Sequence, residues 1–160
     1  MKQVLIDTSE GHVAIVIAED LIVKIFTSEL SKRFGKPVHM KELTKGEKLS
    51  ALKAFNTLFY DKSYSKSEIR LYCFLAEGSK WWNNLIDRIT QMNLSVLNVD
   101  YEVLDILKRN VNPLRLRRVN VYTIKETLQF ADIIAFGNSH YKLVKNIWKN
   151  VPLEKGREPD

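Results

Sequence analysis

The stretch Val4-Leu5-Ile6-Asp7-Thr8-Ser9-Glu10-Gly11-His12-Val13-Ala14-Ile15-Val16-Ile17-Ala18-Glu19-Asp20-Leu21-Ile22-Val23-Lys24-Ile25-Phe26 decides how this chain is read. Lys2 to Asp7 has the apolar density of a short buried strand, and Ser9-Glu10-Gly11 is a turn signal. Beyond the turn, His12 to Ala18 and Leu21 to Phe26 are crowded with β-branched residues: Val13, Ile15, Val16, Ile17, Ile22, Val23 and Ile25. Branching at Cβ restricts χ1 in a helix and packs well on a pleated surface. The pattern therefore predicts two strands joined by a tight turn at Glu19-Asp20. The rival is one helix across residues 12 to 30, which would be apolar all round and lack a 3.6-residue stripe.

Outward from there, Thr27 to Thr44 is a basic connection containing Gly35 and Pro37, and Lys45 to Tyr60 reads as a helix. In that helix Leu49, Leu52, Phe55 and Phe59 share one face. Glu68 to Glu77 is a strand with a continuous apolar centre. Ser79 is the expected N-cap of a helix from Lys80 to Met92, with one residue of the Trp81-Trp82 pair facing the core and the other on the rim. Leu94 to Val99 is a strand, Tyr101 to Arg109 a short helix, Val119 to Ile124 a strand, and Glu126 to about Asn150 a long helix. Val151 to Asp160 is expected to fray. Apolar strands alternating with helices predict an α/β fold: a single three-layer domain over residues 1–150, with a mostly parallel sheet and a leading antiparallel hairpin at its edge.

The 160 residues carry 25 Lys and Arg against 19 Asp and Glu, a formal charge of +6, with 45% hydrophobic and 28% charged residues. That composition excludes a disordered or collagen-like chain. Cys73, the single cysteine, sits in an apolar run and reads as a core thiol, so an internal disulfide and a zinc site built on cysteine pairs are both excluded. No secretory signal opens the sequence, and Glu19, Asp20 and Lys24 interrupt the longest apolar run. A cytoplasmic protein without a membrane partner is expected. Two stretches concentrate positive charge: Thr27 to Lys48, and Tyr101 to Arg118 with Lys108, Arg109, Arg115, Arg117 and Arg118. Those five are the candidate contacts to DNA or RNA, since such patches attract polyanions.

In open α/β sheets ligands gather at the carboxyl ends of the strands. Three predicted strands end in an acid, at Asp7, Glu77 and Asp100, and a fourth acid, Asp132, interrupts the apolar run Phe130-Ala131-Asp132-Ile133-Ile134. A carboxylate among apolar neighbours is costly to bury unless it is paired or binds a cation. Asp7, Glu77, Asp100 and Asp132 are therefore candidate ligands for Mg²⁺ or Mn²⁺, which take hard oxygen donors, with Asp7 and Asp132 the candidate catalytic acids. Each acid also has a plainer reading: Asp7 caps its own turn, Glu77 and Asp100 serve helix N-termini, and Asp132 pairs inside the core. His12, His39 and His140 show no metal-binding spacing, and no Walker, Rossmann or nucleophile-elbow signature is present, so no nucleotide cofactor is expected.

Asp7-Thr8-Ser9, followed by hairpin strands, a helix and strand–helix alternation, resembles the ribonuclease H-like superfold over roughly residues 2 to 148. The resemblance implies that Asp7 is the first-strand metal ligand, Glu77 or Asp100 the second, and Asp132 the late helical acid. No glycine-rich phosphate loop follows Asp7, which speaks against the ATPases of that group. With a helix in place of the hairpin, the same start together with Ala131-Asp132-Ile133-Ile134-Ala135 looks more like a PIN-domain nuclease. Both resemblances imply a metal-dependent nuclease or a degenerate nucleic-acid-binding relative. The alternatives are a non-enzymatic, homo-oligomeric interaction or accessory protein, and a small-molecule-binding α/β domain.

Overall fold

The computed structural model describes residues 1–65, 67–140, 148 and 150–159. Its strands are β1 (Lys2–Ser9), β2 (His12–Glu19), β3 (Ile69–Leu75), β4 (Val96–Val99), β5 (Asn120–Tyr122) and β6 (Leu153–Lys155). Its helices are α1 (Asp20–Phe34), α2 (Lys45–Lys62), α3 (Trp81–Gln91), α4 (Tyr101–Asn110) and α5 (Lys125–Ser139). The strands form one mixed sheet in the order β5-β4-β1-β2-β3-β6. β2 runs antiparallel to both β1 and β3, while β4 is parallel to β1, β5 to β4 and β6 to β3.

Alternation along the central strands builds two cores. Leu5, Ala14, Val16 and Ala18 face α1, α2 and α5, where Phe55 packs edge to face on Phe26 and Phe130 and those two rings meet at a tilt. Val4, Ile6, Val13, Ile15 and Ile17 face α3 and α4, against Trp81, Leu85, Ile86 and Val103. A sheet apolar on both faces needs helices on both, and the result is an α/β three-layer arrangement. Cys73 is fully buried, Trp81 is in the core, and Trp82 lies partly buried at its margin.

Four expectations are corrected. Leu21 to Phe26 is not a strand. The hairpin partner of β1 is β2, and the chain turns into α1 at Asp20. Ile22, Val23, Phe26 and Leu30 form the buried stripe of α1, Leu21 and Lys24 point out, and Gly35 ends the helix at φ 69°. The β-branched residues there fit a helix because tertiary burial outweighs their small propensity penalty. Next, the hairpin is not an edge: β1 and β2 are the two middle strands. Third, Ser79 does not cap α3, whose N-cap is Lys80 without a side-chain bond; the Ser79 hydroxyl instead meets the Glu158 carboxylate. Fourth, the segment expected to fray supplies β6, tied to β3 by Arg70 to Glu154 at 2.6 Å and by the Gly156 N–H donating to the Cys73 carbonyl at 2.7 Å. α5 is described to Ser139, and residues 141–147, where a longer helix was expected, lie outside the described part.

A carboxylate cluster as candidate active site

β1, β3 and β4 all point the same way, so their carboxyl ends share one rim of the sheet. Asp7 sits near the end of β1, two residues after Leu5 and therefore on the α5 side. Asp132 projects from the middle of α5, a helix buried from Leu128 to Asn138 because it crosses the centre of the sheet. Asp100 follows β4 immediately and opens α4. Three different elements thus deliver Asp7, Asp100 and Asp132 to the lining of one cavity of about 310 Å³.

The hydrogen bonds of the cluster are specific. Asp7 Oδ1 accepts from the Thr8 N–H at 2.7 Å. Asp100 Oδ1 accepts from the Val103 N–H at 2.8 Å, capping α4, and Asp132 Oδ2 accepts from the Met40 N–H at 2.8 Å. The Thr8 hydroxyl lies 3.2 Å from Asp100 Oδ2 and 3.0 Å from Glu102 Oε2. It has one proton for two carboxylates.

Asp7 is 9% exposed and Asp132 8%. Burial pushes the Asp7 carboxyl up to about 9, helped by a hydrogen bond shared with Asp100 and by the charges of Asp132 and Asp100, while the Thr8 N–H pulls the other way. Burial also raises Asp132, against the Met40 N–H and the positive fields of His39 and Lys41. In the cation-free protein Asp7 holds a proton at neutral pH. That proton relieves the repulsion that Asp7 would otherwise feel from Asp100 and Asp132. As it stands the cluster is closed on itself: among the described residues no group of three or more His, Cys, Asp or Glu is set to grip a metal ion. Its donors are nevertheless all hard oxygens, the set Mg²⁺ and Mn²⁺ prefer.

Glu77, the fourth expected ligand, is exposed beyond the end of β3, separated from β1 by β2, and does not line the cavity. The five expected nucleic-acid contacts are elsewhere too. α4 starts at the carboxyl rim and, as the crossover between parallel β4 and β5, returns to the opposite rim, where Lys108, Arg109, Arg115, Arg117 and Arg118 lie. What residue-by-residue reading missed at the cavity is Glu102, His39, Lys41, Lys125 and Gln129, which also line it. Asp100-x-Glu102 at a helix start was the available signal for Glu102. Nothing local marks His39 or Lys41, since α1 and the 3-10 turn at Met40–Glu42 carry them to the site.

Fold and site together define an α/β domain with a carboxylate cluster, Asp7 and Asp132 buried and Asp100 half-buried, at the rim where β1 and β4 end. No family model matches the chain, and no curated protein sequence does. Among solved structures, the PCNA:RNase HII complex from Archaeoglobus fulgidus is similar over 95% of this chain and 81% of that one, at 13% identity and a TM-score of 0.41.

Proposed function

We propose that the chain is a small divalent-cation-dependent nuclease of ribonuclease H-like build, with Asp7, Asp100 and Asp132 as the metal ligands. One observation carries this reading: three acids from separate elements line one cavity, and Asp7 is buried, has no basic partner among the described residues, and is pushed up to about 9. The PIN-like alternative is tied to one helix across residues 12 to 30; there only Asp20–Phe34 is helical, and His12–Glu19 is a strand paired with β1 over all eight residues.

A bound Mg²⁺ or Mn²⁺ would polarise a phosphoryl oxygen and make its water acidic at neutral pH. The chain's own residues have distinct parts. Asp7 surrenders its proton and supplies the central charge. Asp132, steadied by the Met40 N–H, supplies the second charge from the α5 side. The Thr8 hydroxyl holds Asp100 and Glu102 in register. Lys41 and Lys125, exposed on the cavity lining and in no ion pair among the described residues, neutralise the non-bridging oxygens of a phosphodiester.

The accessory-protein reading has its own support, because each of the three acids already serves a backbone N–H. Asp7→Asn and Asp132→Asn separate the two. Under the nuclease reading, wild-type protein cleaves single- or double-stranded DNA or RNA with Mg²⁺ or Mn²⁺, and each variant loses at least about a hundredfold of that rate while remaining folded. Wild-type protein inert on all four substrates with either metal would leave the accessory reading in place.

A further inference from the structure

The cavity is one end of a longer surface. α4 leaves it at Tyr101 and runs about 15 Å along its axis to Asn110, and the turn at Pro113–Leu116 follows directly. At that far end a second cleft, of about 620 Å³, is lined by Thr90, Asn93, Ser95, Arg115, Arg117 and Arg118, with Asp87 as its single acidic lining residue. Arg115 is spent on Asp87 at 2.6 Å. Arg117 and Arg118 are exposed and form no ion pair among the described residues. Lys108 and Arg109, in the last turn of α4, are accounted for by the helix dipole. Arg117 and Arg118 have no such structural duty among the described residues. In a duplex successive phosphates of one strand advance about 3.4 Å along the helix axis, so the length of α4 corresponds to roughly four or five base pairs.

We infer that α4 is the floor of a nucleic-acid track, with Arg117 and Arg118 gripping backbone phosphates about five base pairs from the acid cavity on one side only. This rests on the nuclease reading for which end of the track is the cut end; the grip itself needs no cleavage. Nucleic acid fits better than an acidic protein because both ends of the surface offer cations in no ion pair among the described residues, and the span between them is a few base-pair steps of a duplex.

The test is binding without metal, so that it does not depend on activity. Fluorescence anisotropy would compare hairpin-closed DNA duplexes of about 4 and about 12 base pairs with wild-type protein, Arg117→Ala/Arg118→Ala and Lys41→Ala/Lys125→Ala. On the longer duplex both double variants are expected to weaken binding. Two lost phosphate contacts should reduce the slope of log affinity against log salt by about 2. Between about 50 and 200 mM salt the wild type should then lose about tenfold more affinity than the arginine variant. On the shorter duplex, which reaches only one end, either variant should matter less, because the gain from bridging is gone. An arginine variant that binds the longer duplex with the wild-type salt slope would overturn the track. So would equal losses on both lengths, which would mean a patch that acts alone. Either result would leave the acid cavity and its cleavage assay untouched.

Discussion

Asp7 is where sequence, folding and chemistry conflict most. Alternation along β1 sends it to the same face as Leu5, into the layer where α5 crosses the sheet. The fold buries it beside Asp100 and Asp132 and keeps it protonated up to about 9, against an ordinary value of 3.8. Folding therefore takes up a proton in that window, and native stability falls as pH rises from about 4 towards 9. Asp7→Asn keeps the oxygen that accepts the Thr8 N–H, removes the titration, and offers an amide donor to Asp100. The variant is expected to melt at least several degrees above wild type at pH 8 without metal, and the difference should shrink at pH 5. Calorimetry across that range checks it; a variant less stable than wild type at pH 8 would mean that the Asp7 charge is already compensated.

At the level of elements, much was legible in the sequence. α2, α3, β3, β4 and α4 fall within a few residues of where periodicity puts them, because each has a clear stripe or apolar run bounded by turn chemistry. α1 was not legible from residues 21 to 26 alone. Val23 and Ile25 speak for a strand, and only Leu30 and the αL Gly35 farther on restore the helical period. β6 was hidden for a different reason: three residues at a sheet edge, anchored by Arg70, carry no pattern of their own. The acids divide the same way. Asp7, Asp100 and Asp132 were readable as strand-end and buried-helix acids; Glu77 fits the same rule but lies off the cavity lining, with β2 between its strand and β1. α5 adds a test of packing. A Cβ built on Gly137 would stand 2.7 Å from the Trp148 ring and 3.1 Å from Leu52. Glycine to alanine normally stabilises a helix interior by roughly 0.5–1 kcal/mol. Here overpacking should reverse the sign, and Gly137→Ala is expected to lose about 1–3 kcal/mol in denaturant unfolding. A stabilised variant would show that α5 and Trp148 can separate freely.

At the scale of the whole molecule, α4 links two charged clefts, one holding Asp7, Asp100 and Asp132 with Lys41 and Lys125, the other holding Arg115, Arg117 and Arg118 with Asp87. A chain with net charge +6 gathers on polyanions whatever its chemistry, so binding of nucleic acid does not by itself identify the acid cavity. Among the described residues no helix is long and apolar enough to cross a membrane. Under the proposed function a divalent cation displaces the Asp7 proton, and cation binding with its proton count reads that exchange. Titration calorimetry of the nucleic-acid-free protein with Mg²⁺, in buffers of different ionisation enthalpy, reads both. The account expects binding that releases close to one proton, tightens by up to about tenfold per pH unit below 9, and disappears in Asp7→Asn. Binding with no proton release, or equal binding by Asp7→Asn, would contradict it.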